Sequence, residues 1–192
     1  GGMGRREEFS RDRLLRALTD PAPLGQVPAR PDDPYIGAMG SGRVTAPVVG
    51  GCLWLLRETL ATPWEVDLHG AILFFEDVHC PPWRVDGILT QLENAGKLRE
   101  VAGVVVGEMF ECEEWRETKP WLRGRSMEDV LERRLGPLGI PVLFNLPLGH
   151  GKHLCTIPLG VTATLDADAR TLTIDEAALE VAAAQAERVT AS

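Results

Sequence analysis

A short apolar run that ends in two carboxylates constrains this chain more than any other stretch. Residues 71–75, AILFF, are consecutive apolar residues, a pattern typical of a strand buried on both faces. Glu76 and Asp77 follow directly. Because burying an unpaired carboxylate is costly, acids at the tip of a buried strand are either solvated there or held for a purpose. The end of this strand is therefore the first place to look for chemistry.

The residues after the acids predict a loop and then a helix. Pro81 and Pro82 cannot continue a strand ladder. Apolar side chains then recur at helical spacing: Trp83, Val85, Ile88, Leu89 and Leu92. The stretch 71–92 is thus predicted to be strand, loop and helix, with Glu76, Asp77 and His79 around the loop.

The rest of the chain repeats this alternation of strands and helices. Further strands are predicted at 44–49, 101–106 and 141–146, with a hairpin formed by 154–165 and 172–174. Helices are predicted at 5–19, 52–60 and 126–135, the last with a capping box formed by Ser126 and Asp129. The pattern predicts an α/β fold with a mixed sheet.

The distribution of proline and glycine suggests where the domain begins. Residues 1–43 combine a short helix with a Pro/Gly-rich stretch typical of an interdomain linker. Residues 44–178 hold the α/β domain, and residues 179–192 are an alanine-rich tail expected to fray. Since little structure is predicted before the linker, we expect a further domain upstream that this chain lacks.

Charge and cysteine usage exclude several classes of protein. The net charge of −8 argues against a nucleic-acid partner or an anionic membrane surface, both of which require a basic face. No apolar run approaches the roughly 18 residues of a membrane span. The four cysteines are scattered without a CxxC pair, which favours reduced thiols in a cytoplasmic protein.

Glu76 and His150 each follow a predicted buried strand. In open α/β sheets, ligands gather at the carboxyl ends of the strands, so these two loops can meet. A carboxylate on one imidazole nitrogen fixes the tautomer and leaves the other nitrogen to accept a proton from a nucleophile. The alternative is structural: strand-end acids often cap the next helix, and loop histidines are often only solvated.

Four segments resemble one enzyme family in sequence and in order. They are GGCLWLL (50–56), GAILFFEDVHCPPWRVDGILTQL (70–92), AGVVVGEM (102–109) and PVLFNLPLGHGKHLCTIPLGVTATLD (141–166). Over residues 44–175 the chain resembles the second half of the LD-carboxypeptidases, the serine peptidases of family S66. The resemblance implies a mixed-sheet C-terminal domain of the swivelling β/β/α kind, without the upstream flavodoxin-like domain.

The resemblance also implies an activity and the residues that carry it. The family uses a Ser-His-Glu triad to cleave the bond to a C-terminal D-amino acid, typically D-alanine of a murein tetrapeptide, in peptidoglycan recycling. The family's acid falls on Glu76 and its histidine on His150. We expect no cofactor or metal, a cytoplasmic homodimer, and a partner domain upstream that supplies the nucleophile.

The chain departs from the family pattern at the nucleophile. No serine has the strand-turn-helix context that a nucleophile needs; the serines are Ser10, Ser41, Ser126 and Ser192. The family's oxyanion-hole amides also lie upstream, so the chain alone is predicted to be inactive. Smaller departures are Cys52, Gly87 and Asn145, where the family commonly has Asn, Arg and Gly.

Two other functions compete with this hypothesis. The first is a zinc site, but the candidate ligands lack metal-binding spacing: His79, Cys80, Cys112, His150, His153 and Cys155. The second is a non-catalytic α/β binding or interaction module. Trp115 and Trp121, in a polar stretch, are candidates for a rim or a subunit contact.

Overall fold

The computed structural model describes residues 8–113 and 125–179, and in them one mixed sheet carries the fold. The strands are β1 (Gly25–Gln26), β2 (Gly37–Met39), β3 (Arg43–Cys52), β4 (Ile72–Val78), β5 (Gly103–Phe110), β6 (Val142–Gly149), β7 (Thr162–Asp166) and β8 (Thr171–Ile174). The helices are α1 (Glu8–Thr19), α2 (Leu53–Glu58), α3 (Pro82–Asn94) and α4 (Met127–Leu135). The strand order is β1-β8-β7-β3-β4-β5-β6-β2.

Four parallel strands form the centre of the sheet. β3, β4, β5 and β6 run parallel, whereas β7, β8 and the two short edge strands pair antiparallel. The mixed α/β fold predicted from the sequence is thereby confirmed. All four carboxyl ends of the parallel strands lie on one edge of the sheet, which is where such folds place ligands.

Strand β4 is buried on both faces, as its apolar run predicts. Leu73 and Phe75 belong to a core that includes α2, α3 and α4, whereas Ile72 and Phe74 belong to a second core with β7 and β8. Successive side chains of a strand point to opposite faces. Glu76 is therefore expected on the face of Phe74, and Asp77 on the face of Phe75.

The proline-rich segment contributes edge strands to the sheet. β1 pairs with β8, and β2 pairs with β6 at the opposite edge. The division of the chain at residue 43 stays a prediction, because sheet pairing alone does not define a domain boundary.

Some predicted elements changed their extent in the structure. The hairpin is shorter than predicted: β7 begins at Thr162, and residues 154–161 form no strand. One reason is a turn at Gly160, which has a φ of +84° and donates its N–H to the carbonyl of Val48. The capping box of α4 is confirmed, with both reciprocal hydrogen bonds of Ser126 and Asp129 present.

Two features singled out from the sequence lie outside the described residues. Trp115, Trp121 and nearly all of the alanine-rich tail lie in the ranges 114–124 and 180–192. Among the helices that the structure describes, none is long and apolar enough to span a bilayer.

Candidate active site

Three adjacent parallel strands end in side chains that can transfer protons or hold charge. β4 carries Glu76, β5 carries Glu108, and His150 follows the last residue of β6. Because β4, β5 and β6 are neighbours in the sheet, these side chains lie at the same edge.

Glu76 and His150 are in direct contact. The Nδ1 atom of His150 lies 2.6 Å from Oε2 of Glu76. The Glu76 residue is only 5% exposed, whereas the His150 side chain is 49% exposed. An ionised carboxylate only accepts hydrogen bonds, so the Nδ1–H of His150 donates and Nε2 is left as an acceptor. The arrangement is a buried acid that orients a half-exposed base.

Glycine residues make room for the buried acid. A Cβ atom at Gly149 would lie 2.5 Å from Oε2 of Glu76, and a Cβ at Gly107 would lie 3.1 Å from the Glu76 Cβ. Gly149 also has a φ of +127°, which residues with a side chain rarely adopt. The residue before His150 is therefore glycine for two reasons: its backbone conformation and its contact with the acid.

Burial raises the pKa of Glu76 above its usual range. Loss of solvent is the largest cause, the neighbouring Asp77 acts in the same direction, and the hydrogen bond from His150 opposes both. Below pH 4.5, which is the ordinary pKa of a glutamate, the carboxyl is protonated in both the folded and the unfolded chain. Stability is then lost as the pH rises through the raised folded-state pKa, because the unfolded chain ionises more easily.

Glu76→Gln is expected to remove this loss. The variant should become more stable relative to the natural chain as the pH rises from 4.5 to about 7, because an amide does not ionise. Urea unfolding at a series of pH values measures the difference. Glu58→Gln, at an exposed site, controls for the loss of one charge. A stability difference that is constant over this range would contradict a raised pKa for Glu76 in the folded chain.

Asp77 is also buried, but it serves the fold. Its Oδ2 atom accepts a hydrogen bond of 3.0 Å from the backbone N–H of Trp54 in the first turn of α2, and Oδ1 accepts from its own neighbour Val78 at 2.8 Å. Cys52, the residue at the N-cap of α2, provides no side-chain cap. The two consecutive acids therefore differ in role: Glu76 contacts His150, and Asp77 caps α2, which precedes β4 in the chain and is not the next helix considered from the sequence.

Glu108, which was not predicted from the sequence to be a site residue, lies on β5 among these strand ends. Its Oε1 atom lies 2.9 Å from Nη1 of Arg30, and burial raises the pKa of the Glu108 carboxyl, opposed chiefly by Arg30. Both residues line a cleft of about 390 Å³ that also includes Tyr35 and Phe144. The signal was present in the sequence, because Gly107-Glu108 ends a buried strand as Glu76 ends its neighbour.

The candidate zinc ligands are not assembled into a site. Within residues 8–113 and 125–179, no group of three metal-ligating side chains is found. Burial raises the pKa of Cys80 and Cys112 to about 12 and that of Cys155 to about 11. His79 lies 3.0 Å from Glu111 on the exposed loop after β4. The thiols of Cys80, Cys112 and Cys155 are therefore protonated at neutral pH.

The serines in the described residues have structural positions. Ser10 is buried, and its hydroxyl accepts a hydrogen bond from the N–H of Leu154. Ser126 caps α4, and Ser41 is exposed in the turn between β2 and β3. Among the described residues, Glu76 is the hydrogen-bond partner of the His150 side chain, so Nε2 of His150 is open to a group from outside this part of the chain.

Comparisons with known proteins find relatives for most of this chain. A family model described as the LD-carboxypeptidase C-terminal domain matches residues 45–165. A Bacillus subtilis protein, named a probable murein peptide carboxypeptidase, is 34% identical over 134 residues, which are 70% of this chain and 41% of that protein. The murein tetrapeptide carboxypeptidase of Pseudomonas aeruginosa is 29% identical over 125 residues, or 65% of this chain and 39% of that enzyme.

A solved structure has the same fold. The muramoyltetrapeptide carboxypeptidase from Oxalobacter formigenes superposes with a TM-score of 0.68 at 28% identity, covering 88% of this chain and 55% of that one. The chain thus spans about half the length of the proteins that it matches, or less.

Proposed function

This chain belongs to the LD-carboxypeptidase family, and on that premise we propose that it supplies the acid and the base of a serine-type carboxypeptidase site. Glu76 is the acid and His150 the base. The observation that carries the proposal is the 2.6 Å contact between them at the carboxyl edge of the sheet. A buried carboxylate on Nδ1 with an open Nε2 is the arrangement that activates a hydroxyl nucleophile.

The proposed mechanism assigns one role to each of the two residues. Nε2 of His150 takes the proton of a serine hydroxyl as the hydroxyl attacks the scissile carbonyl, and then returns it to the leaving amine. Glu76 holds the imidazole in the tautomer with its proton on Nδ1, and stabilises the imidazolium while it exists. Glu76 remains ionised during the cycle, because it accepts the hydrogen bond from the Nδ1–H of His150 without taking the proton.

The nucleophile and the oxyanion donors are proposed to come from a separate, upstream domain. Two observations support this: the chain matches the C-terminal domain of the family, and it spans less than half of the B. subtilis relative. Of the described serines, Ser126 caps a helix, Ser10 accepts a backbone hydrogen bond and Ser41 lies in the turn between β2 and β3. On this proposal the isolated chain is inactive.

The proposed substrate is a murein tetrapeptide that ends in D-alanine. The names of the B. subtilis and P. aeruginosa relatives support this class of substrate. Action in the cytoplasm during murein recycling, and assembly as a homodimer, are further parts of the proposal. Free thiols at all four cysteines are consistent with a reducing compartment.

A fusion protein tests the proposal. The N-terminal part of the B. subtilis relative, which this chain does not cover, is joined to the chain and assayed for D-alanine release from murein tetrapeptide. We expect release by the fusion, none by the chain alone, and none from a tetrapeptide ending in L-alanine. A folded fusion that releases no D-alanine, while the intact relative does, would favour the non-catalytic α/β binding module instead.

A further inference from the structure

Arg30, in the proline-rich segment before β2, lies at the strand ends beside the proposed site. Its side chain is 16% exposed and contacts three carboxylates. Nη1 lies 2.9 Å from Glu108, Nη2 lies 2.6 Å from Asp33, and Nε lies 3.8 Å from Asp32. An arginine this well buried and paired is held in one orientation, so it can fix the positions of the groups that it contacts.

The contact with Glu108 reaches the residue after His150. A Cβ atom at Gly151 would lie 1.7 Å from Oε2 of Glu108, so the carboxylate packs directly on the Gly151 backbone. The Glu108 side chain is 14% exposed, and its Oε2 atom is buried without a hydrogen bond among the described residues. Arg30 compensates more of the charge of this carboxylate than His153 does.

The contact with Asp33 reaches the strand that precedes His150. Oδ2 of Asp33 accepts a hydrogen bond of 3.0 Å from the amide of Asn145, which also donates to the carbonyl of Tyr35 at 2.8 Å. Asn145 has a φ of +68°, in the left-handed region that asparagine tolerates better than most residues. The backbone of β6 is thus tied to the 30–35 segment at an irregular position five residues before His150.

These two contacts bracket the histidine. We propose that Arg30 and Glu108 are positioning residues for His150, which hold its loop at both ends so that the imidazole stays on Glu76. The catalytic meaning of this role rests on the proposed function. The structural claim does not, since it concerns the hydrogen bond between His150 and Glu76 in the chain alone.

Loss of Arg30 should release the loop for an electrostatic reason. Without the guanidinium, Glu108 would be a largely buried carboxylate that has lost its main positive partner, which is unfavourable. The carboxylate can regain solvent only by moving away from Gly151, and that movement shifts the backbone next to His150. The loop, rather than the sheet, gives way because the sheet is held by its ladder of backbone hydrogen bonds.

Proton NMR of the 192-residue chain tests this claim. The Nδ1–H of His150 should give a downfield signal, which is identified by its loss in His150→Ala. We expect Arg30→Gln and Glu108→Ala each to remove or exchange-broaden that signal, and Arg30→Lys to retain part of it. The double variant that combines Arg30→Gln with Glu108→Ala should lose no more of the His150 signal than either single variant. Both substitutions remove contacts that hold the same loop.

Arg134→Gln is the matched control. Arg134 is similarly buried, at 19% exposure of its side chain, and it pairs with Asp86 at 2.6 Å and Glu93 at 3.0 Å, away from the strand ends. It should leave the His150 signal unchanged even where stability falls. An unchanged signal in folded Arg30→Gln or Glu108→Ala would overturn the proposal and leave Arg30 a structural residue.

Activity of the fusion protein separates this inference from the proposed function. In an active fusion, Arg30→Gln should lower kcat by about 10²-fold with little change in KM, the size of effect expected from a misplaced catalytic group. If every fusion is inactive, including the unsubstituted one, the proposed function fails while the NMR result still decides the positioning role.

Discussion

Replacing His150 by alanine is expected to lower the kcat for D-alanine release by the fusion protein about 10⁴-fold, the scale seen when one member of a catalytic triad is removed. Without the imidazole, nothing accepts the proton of the nucleophile or returns it to the leaving amine. KM should change little, because the residue acts on the transition state more than on binding. The ratio of rates is measured under saturating murein tetrapeptide.

His69→Ala is the control for this experiment. His69 is an exposed histidine in the turn that precedes β4, at the opposite end of that strand from Glu76. Its substitution should leave kcat unchanged. If His150→Ala keeps more than about a tenth of the activity, a triad role is wrong, since triad members act as a unit and cost far more than tenfold when lost.

Gly149→Ala is expected to damage both the fold and the site. The new Cβ would lie 2.5 Å from Oε2 of Glu76 and 2.9 Å from two of its carbons, so the acid must move. The φ of +127° adds backbone strain on the order of 1–3 kcal/mol for a residue with a side chain. We expect the free energy of unfolding to fall by at least that amount.

The same substitution should also break the contact with His150. As Glu76 is pushed aside, the Nδ1–H signal of His150 is expected to disappear, and kcat of the fusion should fall by more than about 10²-fold. Urea unfolding gives the stability, and proton NMR reports the hydrogen bond. These two measurements separate strain in the backbone from displacement of the acid.

Gly42→Ala provides the comparison for backbone strain alone. Gly42 has a φ of +93° in the turn before β3, and a Cβ there would have nothing within 4 Å. It should lose stability while keeping the His150 signal. If Gly149→Ala behaves in the same way as Gly42→Ala, the close contact with Glu76 has no functional consequence.

Short-range sequence patterns predicted several elements of this fold. The apolar run before Glu76, the capping box at Ser126 and the strands at 101–106 and 141–146 were all predicted from short-range rules, because burial and capping depend on residues near each other in the chain. The candidate pair of Glu76 and His150 followed from one further step, that parallel strands end at one edge of a sheet.

Local pattern failed where a segment's partners are distant. No strand was predicted in the proline-rich stretch, yet it contributes β1 and β2, each of which pairs with a strand more than 100 residues away. Its role as an interdomain linker stays a prediction. The role of Arg30 was missed for the same reason. Its partner Glu108 lies 78 positions further along the chain.

Asn145 is a residue whose role becomes clear only when its sequence position and its tertiary contacts are considered together. From the sequence, Asn145 is only a departure from the family's usual glycine. In the structure, the residue has a φ of +68° and donates hydrogen bonds to Asp33 and Tyr35. Asparagine therefore keeps a backbone conformation suited to glycine and adds a tie to the 30–35 segment.

The sequence by itself determined which residues are buried, where strands and helices form, and that an acid and a histidine stand at strand ends, because these properties depend on the order of apolar and polar residues. Only the tertiary structure decided that Glu76 faces His150 while its neighbour Asp77 caps α2. The physical reason is the two-residue period of a strand, which sends adjacent side chains to opposite faces. What each face meets depends on how distant segments pack.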